Sequence, residues 1–321
     1  MLTCLRAYGL DVAGRNLEEY REFFAASTVD EHIDRVFAAA NCEQVVMTND
    51  PFNDDERAIW LEQGWETDAR FMAALRIDPL LVTWHEAQPR LAEWGYDVCM
   101  DLSGNTLCEV RRFLMDWAAR MDPVYLAASL GFNFAYPDPC HPSTAIIDHA
   151  IVPACIELGI PFAPMIGVKR QVNPALSLAG DSVGKCDIGT IERLCQYHPE
   201  CDFFVTLLSR ENQHELCVTA RKFPNLMPFG CWWFLNDPSI IEEMTRERVE
   251  LLGGSFVAQH SDCRVLDQLV YKWAHSRETI RKVLTDKYQD LARTGWQLTE
   301  AQIAADVRGL LGQNFLDWIG R

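Results

Sequence analysis

Short apolar runs recur along the chain, and a segment with helical periodicity follows most of them. Such runs are typical of buried parallel strands, and the amphipathic segments between them are typical of crossover helices. The alternation therefore predicts an α/β fold built on a mainly parallel sheet. The predicted strands span residues 44–48, 71–77, 124–130, 161–168, 202–208, 226–231 and 255–260.

The number of predicted strands indicates an incomplete barrel. A closed (β/α) barrel has eight strands, so seven strands mean either that the pattern hides one or that the chain begins after the first. No linker rich in Ser, Gly or Pro divides the sequence. We therefore expect a single TIM-like (β/α)-barrel domain over residues 1–321.

Capping signals predict where several helices begin. Two helices, Leu17–Ala25 and Val29–Ala40, precede the first strand. A Thr followed three residues later by Glu or Gln is a capping box, and Pro is favoured at the first helical position because its missing N–H costs least there. Helix starts are predicted on this basis at Thr28 with Glu31, Asp78-Pro79, Asp237-Pro238 and Thr299 with Gln302, with Asp78 and Asp237 as caps.

Composition narrows the class of protein. The 321 residues are 49% hydrophobic, which allows a large core, and they carry a formal net charge of −17. That charge repels phosphate backbones and anionic membranes, so we expect no nucleic-acid or membrane partner. The 12 cysteines form no C-x-x-C pair, residues 2–20 are too charged for a signal sequence, and prolines interrupt the most apolar window, Ala150–Val168. These features predict a cytoplasmic protein with reduced thiols, and they leave a homo-oligomer open.

The densest group of polar side chains follows the last predicted strand, in the stretch Ser255–Asp267 (SFVAQHSDCRVLD). His260, Asp262 and Arg264 lie there within five positions, after the strand and before a helix. The carboxyl ends of strands are where α/β barrels carry their catalytic residues. Each residue alone also fits an ordinary loop with a capping Asp and a surface Arg, but the three together favour a functional site.

Polar residues follow the other predicted strands as well. Arginines suit the bidentate capture of a carboxylate, carboxylates and His suit metal or acid–base chemistry, and Trp rings suit stacking on a sugar face. Trp232 and Trp233 also fit a core role, and Glu211 with His214 also fits a helix start with a surface histidine. The set at the strand ends consists of Asn49, Asp50, Arg76, Asp78, Lys169, Arg170, Ser209, Arg210, Glu211, Cys231, Trp232 and Trp233.

Six runs of the sequence together resemble the uronate isomerases of the amidohydrolase superfamily. The resemblance covers nearly the whole chain. It implies a distorted (β/α) barrel and an intramolecular oxidoreductase of uronate catabolism, which interconverts glucuronate and fructuronate or galacturonate and tagaturonate. The runs are VVMTNDPF (45–52), FMAALRIDPLL (71–81), PMIGVKRQVNPAL (164–176), LLSRENQHEL (207–216), GCWWFLNDPSIIEEMTR (230–246) and QHSDCRVLDQLVYKW (259–273).

The resemblance also implies roles for four residues. Asp262 resembles the aspartate that binds the family's divalent metal, zinc by expectation, and handles protons. Arg264 resembles a substrate-binding arginine beside the catalytic aspartate, and Arg76 resembles an arginine that helps to hold the uronate. Trp232 resembles a tryptophan that lines the substrate site. The implied catalytic residues are therefore Asp262 and Arg264.

The sequence departs from the family pattern at its beginning. Uronate isomerases carry an H-x-H pair on their first strand and a nearby His-Tyr pair, whereas the 8 histidines here include no H-x-H. The resemblance thus places Met1 after the family's first strand. We expect seven of eight strands, a gap between residues 44–48 and 255–260, an incomplete metal site and little isomerisation. The alternatives are a barrel fragment that at most binds a sugar acid, and a hydrolase of the same superfamily.

Overall fold

An open, mainly parallel sheet organises the structure, a computed structural model that describes residues 1–177 and 179–320 and the backbone of Leu178. Hydrogen bonds join its parallel strands in the order β1-β2-β3-β4-β6-β7, while β5 pairs antiparallel with β4. The register is regular, with Val45 opposite Phe71 and Phe203 opposite Leu226. The strands are β1 (Val45–Asn49), β2 (Phe71–Arg76), β3 (Leu126–Gly131), β4 (Phe162–Lys169), β5 (Ser182–Val183), β6 (Phe203–Leu207) and β7 (Leu226–Pro228).

The predicted strand at residues 255–260 is reduced to a single parallel bridge between Phe229 and Val257. The amide of Val257 donates to the carbonyl of Pro228 at 3.1 Å, and that of Gly230 donates to the carbonyl of Val257 at 2.7 Å. Beyond the bridge, side chains take up the backbone carbonyls that a neighbouring strand would bind. Within the described residues β1 pairs with β2 alone, so the sheet has the predicted gap between residues 44–48 and 255–260.

Helices cover the outer side of the sheet, and the helical segment after β3 includes a π-helical turn, Ile147–Ile151. Both predicted capping boxes are present, and the Asp237 carboxylate accepts from the amide of Ile240 at 3.2 Å. None of the helices described here combines the length and the hydropathy that crossing a bilayer requires. The helices are α1 (Leu2–Ala7), α2 (Leu17–Ala25), α3 (Val29–Ala40), α4 (Asp54–Leu61), α5 (Asp78–Val82), α6 (Trp84–Glu93), α7 (Thr106–Met121), α8 (Pro142–Ile146), α9 (Val152–Leu158), α10 (Gly189–Tyr197), α11 (Gln213–Ala220), α12 (Pro238–Leu252), α13 (Gln268–Arg293), α14 (Glu300–Arg308) and α15 (Asn314–Trp318).

Two apolar layers line the two faces of the sheet, because successive side chains of a strand point to opposite sides. Leu126, Phe162 and Phe203 face outward and belong to the core between sheet and helices. Their neighbours Ala127 and Phe204 belong to a second core inside the barrel. Burial on both faces explains why these strands are continuous apolar runs in the sequence.

The C-terminal helix α15 closes the end of the barrel where the strands begin. Phe315 stacks on Phe204 with ring centroids 5.7 Å apart and meets Tyr125 edge-on at 6.5 Å. The side-chain amide of Asn314 donates to the carbonyl of Phe256 at 2.9 Å. Since apolar packing fills this end, polar chemistry is left to the opposite end, where the strands finish.

Candidate active site

The four residues that the resemblance assigns to a site all follow the carboxyl ends of parallel strands. Arg76 is the last residue of β2, Trp232 follows β7, and Asp262 and Arg264 follow the bridge at Val257. Parallel strands bring such ends to one edge of a sheet. Within the described residues no hydrogen bond or ion pair joins Arg76 to Asp262 or Arg264, and their convergence on one substrate stays a prediction.

A carboxylate holds the guanidinium of Arg76. Its Nε and Nη2 donate to Oδ2 of Asp78 at 3.0 and 2.6 Å, while Oδ1 of Asp78 accepts from the amide of Ser129 at 2.8 Å. Burial lowers the pKa of Arg76, but the bonds to Asp78 outweigh it and raise that pKa. The predicted capping role of Asp78 is wrong, because its carboxylate makes no cap bond to α5 and anchors Arg76 to β3 instead.

The surroundings of Arg76 are strongly acidic. Burial raises the pKa of Asp50, the amide of Phe52 lowers it by donating at 2.8 Å, and the carboxylates of Asp78 and Glu56 raise it again. One guanidinium therefore faces three carboxyl groups, those of Asp78, Asp50 and Glu56. Their negative charge weakens the attraction of Arg76 for an anionic ligand.

Arg264 lies beside an acidic loop that follows β4. Asp181 accepts from the amide of Gln171 at 2.8 Å and from Nη1 of Arg170 at 2.7 Å, and its side chain is only 3% exposed. Those two bonds, with the charge of Arg264, lower the pKa of Asp181. Arg170 and Arg264 thus face one buried carboxylate, while the Arg264 side chain remains exposed to solvent. Sequence reasoning missed Asp181, because it lies in a polar loop that no pattern marks.

The segment that carries Asp262 is fixed through its backbone. Nζ of Lys272 donates to the carbonyls of Ser261 and of Asp262, the latter at 2.9 Å. The side-chain amide of Asn236 donates to the carbonyls of His260 at 3.0 Å and of Ser261 at 3.3 Å. Asp262 itself has a left-handed backbone with φ of 47°. That conformation costs a residue with a Cβ some free energy, which bonds from the surroundings offset.

His260 packs tightly against the end of β7. Its ring lies 5.1 Å from that of Phe229, and a Cβ added to Gly230 would lie 2.0 Å from the Cβ of His260. Burial lowers the pKa of His260 and favours the neutral imidazole, although the charge of Asp262 opposes this. Among the described residues Nδ1 of His260 is buried without a hydrogen-bond partner, so it can still bind a polar group.

Trp232 is a residue of the apolar core. It is 5% exposed and belongs to the apolar layer inside the barrel, with its ring 6.1 Å from that of Trp233. This matches the core role that its sequence left open. A contact between Trp232 and a sugar stays a prediction.

Other strand-end residues contact partners other than Asp262. Lys169 lies over the ring of Phe132 at 4.9 Å. Arg210 pairs with Glu243 at 2.9 Å, and Nδ1 of His214 lies 2.7 Å from Glu247 on the surface. The interpretation of His214 as a surface histidine is therefore the one that its position supports.

The residues present do not form a complete metal site. A zinc site in an enzyme takes three protein ligands as a rule, drawn from His, Cys, Asp and Glu. Within the described parts of the chain no three such residues lie close enough together to hold an ion. Asp262 remains the one carboxylate that the resemblance supports as a metal ligand.

The chain is similar to several proteins of known structure. No family model matches the chain, and no curated protein matches it. A uronate isomerase from Bacillus halodurans is 52% identical over 100% of this chain and 75% of its own, with a TM-score of 0.97. A uronate isomerase from Thermotoga maritima covers 89% of this chain and 69% of its own, at 15% identity and a TM-score of 0.71. A glucuronate isomerase from Caulobacter crescentus covers 89% and 66%, at 15% identity and a TM-score of 0.66, and these two share the fold alone.

Proposed function

Because the chain belongs to the uronate isomerases, enzymes that interconvert aldose and ketose uronates, we propose that it acts on a uronate with the residues described above. The reaction converts D-glucuronate to D-fructuronate, or D-galacturonate to D-tagaturonate. The observation that carries the proposal is the 52% identity to a uronate isomerase along the whole chain. The polar residues at the strand ends include arginines that suit a carboxylate and a carboxylate that suits proton transfer.

Binding of the substrate falls to the arginines. A guanidinium matches a carboxylate with two parallel hydrogen bonds, which fixes orientation as well as position. Arg264 is exposed, and its charge interacts with the carboxylate of Asp181. Arg76 is 35% exposed and fixed by Asp78, so it serves as a second, rigid contact to the uronate. Trp232 borders the same end of the barrel as an apolar wall.

Proton transfer falls to Asp262. As base, its carboxylate removes the proton from C2 of the aldose. The C2–H electron pair forms the C1=C2 bond, and the electron pair of the C1=O bond moves to O1, which gives an enediolate. The O2 proton then passes to O1, the electron pair left on O2 forms the C2=O bond, and C1 takes back the proton that Asp262 holds, which gives the ketose. The positive charge of Arg264 stabilises the developing oxyanion. This assignment uses a base that the backbone of residues 260–262 holds in place.

No step is assigned to a metal ion, because the described residues offer no group of three ligands for it. The same observation favours a second candidate function, binding of a sugar acid without turnover. The two candidates share the binding step and differ only in catalysis. The expected divalent metal, zinc by resemblance, has Asp262 as its candidate ligand in this proposal.

Calorimetry with D-glucuronate, run beside an assay of fructuronate formation, tests the proposal. We expect the chain to bind D-glucuronate and Arg264→Met to weaken binding about 10–100-fold, the worth of charge-assisted hydrogen bonds. The matched control is Arg308→Met, which removes an exposed arginine from α14. Absence of binding by the unaltered chain, or equal weakening in both variants, would overturn the proposal. Binding without product would favour the second candidate.

A further inference from the structure

We propose that Lys272 is a positioning residue, whose ammonium group sets the orientation of Asp262 and Arg264. The inference deepens the proposed function and rests on it. Lys272 lies on α13, ten residues after Asp262, and points back at the segment that ends the barrel. It makes no contact with the substrate in this proposal and acts through the backbone alone.

The environment of Lys272 is unusual for a lysine. The residue is 8% exposed, and no carboxylate of the described residues forms an ion pair with it. A buried ammonium group without a counter-charge is costly, so lysine is rarely buried unless its donors are used. The donors of Lys272 are used on two consecutive carbonyls, those of Ser261 and Asp262.

The two carbonyls belong to the point where the chain turns left-handed. Asp262 has φ of 47°, a left-handed conformation that is less favourable than a right-handed one for a residue with a Cβ. Lys272 holds the carbonyls on either side of the Asp262 nitrogen and Cα, while Asn236 holds those of His260 and Ser261. Three successive carbonyls are thus bound by side chains from α13 and from the turn after β7. This arrangement fixes the direction in which the Asp262 side chain leaves the backbone.

The far end of the same segment has a separate anchor. Oδ1 of Asp267 accepts from the hydroxyl of Tyr8 at 2.7 Å, and its Oδ2 lies 3.0 Å from Nε2 of His32. Asp262 and Arg264 lie between the two anchors. Release at Asp267 leaves the left-handed turn bound, whereas release at Lys272 frees the turn itself. Tyr8→Phe is therefore a matched control, because it removes one bond from the same segment and spares the turn.

The experiment compares four variants of the full chain with the unaltered protein: Lys272→Met, Lys272→Arg, Asn236→Leu and Tyr8→Phe. Met keeps the length and the apolar packing of the lysine stem, and Arg keeps its charge and donors. Calorimetry gives the dissociation constant for D-glucuronate, corrected for the folded fraction. Amide hydrogen exchange of the segment from Ser261 to Val265 reports the backbone without any ligand.

We expect Lys272→Met to weaken D-glucuronate binding about tenfold and to speed amide exchange in the segment, since displacement of binding groups is costly even at small amplitude. Lys272→Arg should recover most of the affinity, and Asn236→Leu should weaken binding in the same direction. Tyr8→Phe should leave affinity unchanged. If Lys272→Met does not fold, the affinities of Asn236→Leu and Lys272→Arg and the amide exchange rates of these two variants test the inference instead.

Three results are decisive. Binding by the unaltered chain with equal affinity in Lys272→Met and Asn236→Leu would overturn the inference and leave the proposed function intact. Equal weakening by Tyr8→Phe would also overturn it, because a general loss of order would then explain the effect. Absence of D-glucuronate binding by the unaltered chain would overturn the proposed function and, with it, the inference.

Discussion

Replacement of Gly230 by alanine tests how rigidly the segment around His260 is held. Gly230 has φ of +65°, and an added Cβ would lie 2.0 Å from the Cβ of His260 and 2.4 Å from its backbone nitrogen. A left-handed backbone costs an alanine about 1–2 kcal/mol. Overpacking against a segment that cannot move adds about 1–3 kcal/mol. We therefore expect Gly230→Ala to lower the free energy of unfolding by about 2–5 kcal/mol.

Gly159 provides the matched control. It has the same φ of +65°, and no atom lies within 4 Å of its added Cβ, so Gly159→Ala carries only the backbone cost. Urea titration followed by tryptophan fluorescence gives the free energy of unfolding of both variants, and their difference isolates the steric contribution. A Gly230→Ala variant as stable as Gly159→Ala would refute the reasoning, because it would mean that the His260 segment yields.

Three further outcomes are expected. Residues 1–321 should form fructuronate at no more than about a hundredth of the rate of the Bacillus halodurans relative. Each acid–base group contributes roughly 10²–10⁴-fold to the rate of such a reaction, and Asp262 is the one acid–base group assigned here. Equal rates of the two proteins would contradict this prediction. Asp50→Asn should stabilise the protein at pH 7, since burial raises the pKa of Asp50 and its ionised form disfavours folding. That gain should grow as pH rises through the folded pKa and vanish below the unfolded value of about 3.9, and a gain independent of pH in urea titrations would refute the cause. Tyr8→Phe should cost about 1.5–3 kcal/mol at pH 7 in the same titrations. Burial opposes ionisation of Asp267, but the bonds from His32 and Tyr8 outweigh it and lower its pKa, so this loss should shrink as pH falls through the folded pKa, and an equal loss in acid would argue against a charge-assisted bond.

Strands β3, β4 and β6 were predictable because they are buried on both faces. Continuous apolar runs such as 71–77 and 202–208 become β2 (Phe71–Arg76) and β6 (Phe203–Leu207). The run at 255–260 does not form a full strand, because side chains of Asn236 and Lys272 bind the carbonyls that follow the bridge at Val257, and a hydrophobic pattern does not contain that information. Val257 has β7 on one side only, and the prediction of a full strand is wrong there.

The sequence predicts the candidate site as a set of residue types, and it reveals fewer of the contacts that these residues make. Polar residues after strand ends define the candidate region, since topology brings those ends together. Asp78 shows the limit, because Asp-Pro signals a helix start whether the carboxylate caps the helix or anchors Arg76. Lys272 shows another limit of prediction from the sequence. It lies inside a long helix, and only the fold reveals that it is buried.

The edge of an open sheet exposes backbone groups that can pair with a strand of another chain. At one edge of this sheet, a single side chain binds the exposed carbonyls. Val257 directs both its amide and its carbonyl to β7, so the neighbouring Phe256 directs its carbonyl to the open side. Asn314 of α15 donates to that carbonyl at 2.9 Å and to the carbonyl of Gly254 at 2.6 Å. Helix α15 thus has a second effect besides closing the end of the barrel. Because Asn314 binds the carbonyl of Phe256, that carbonyl is less available to a strand of another molecule, and strand addition of this kind is a common route to aggregation.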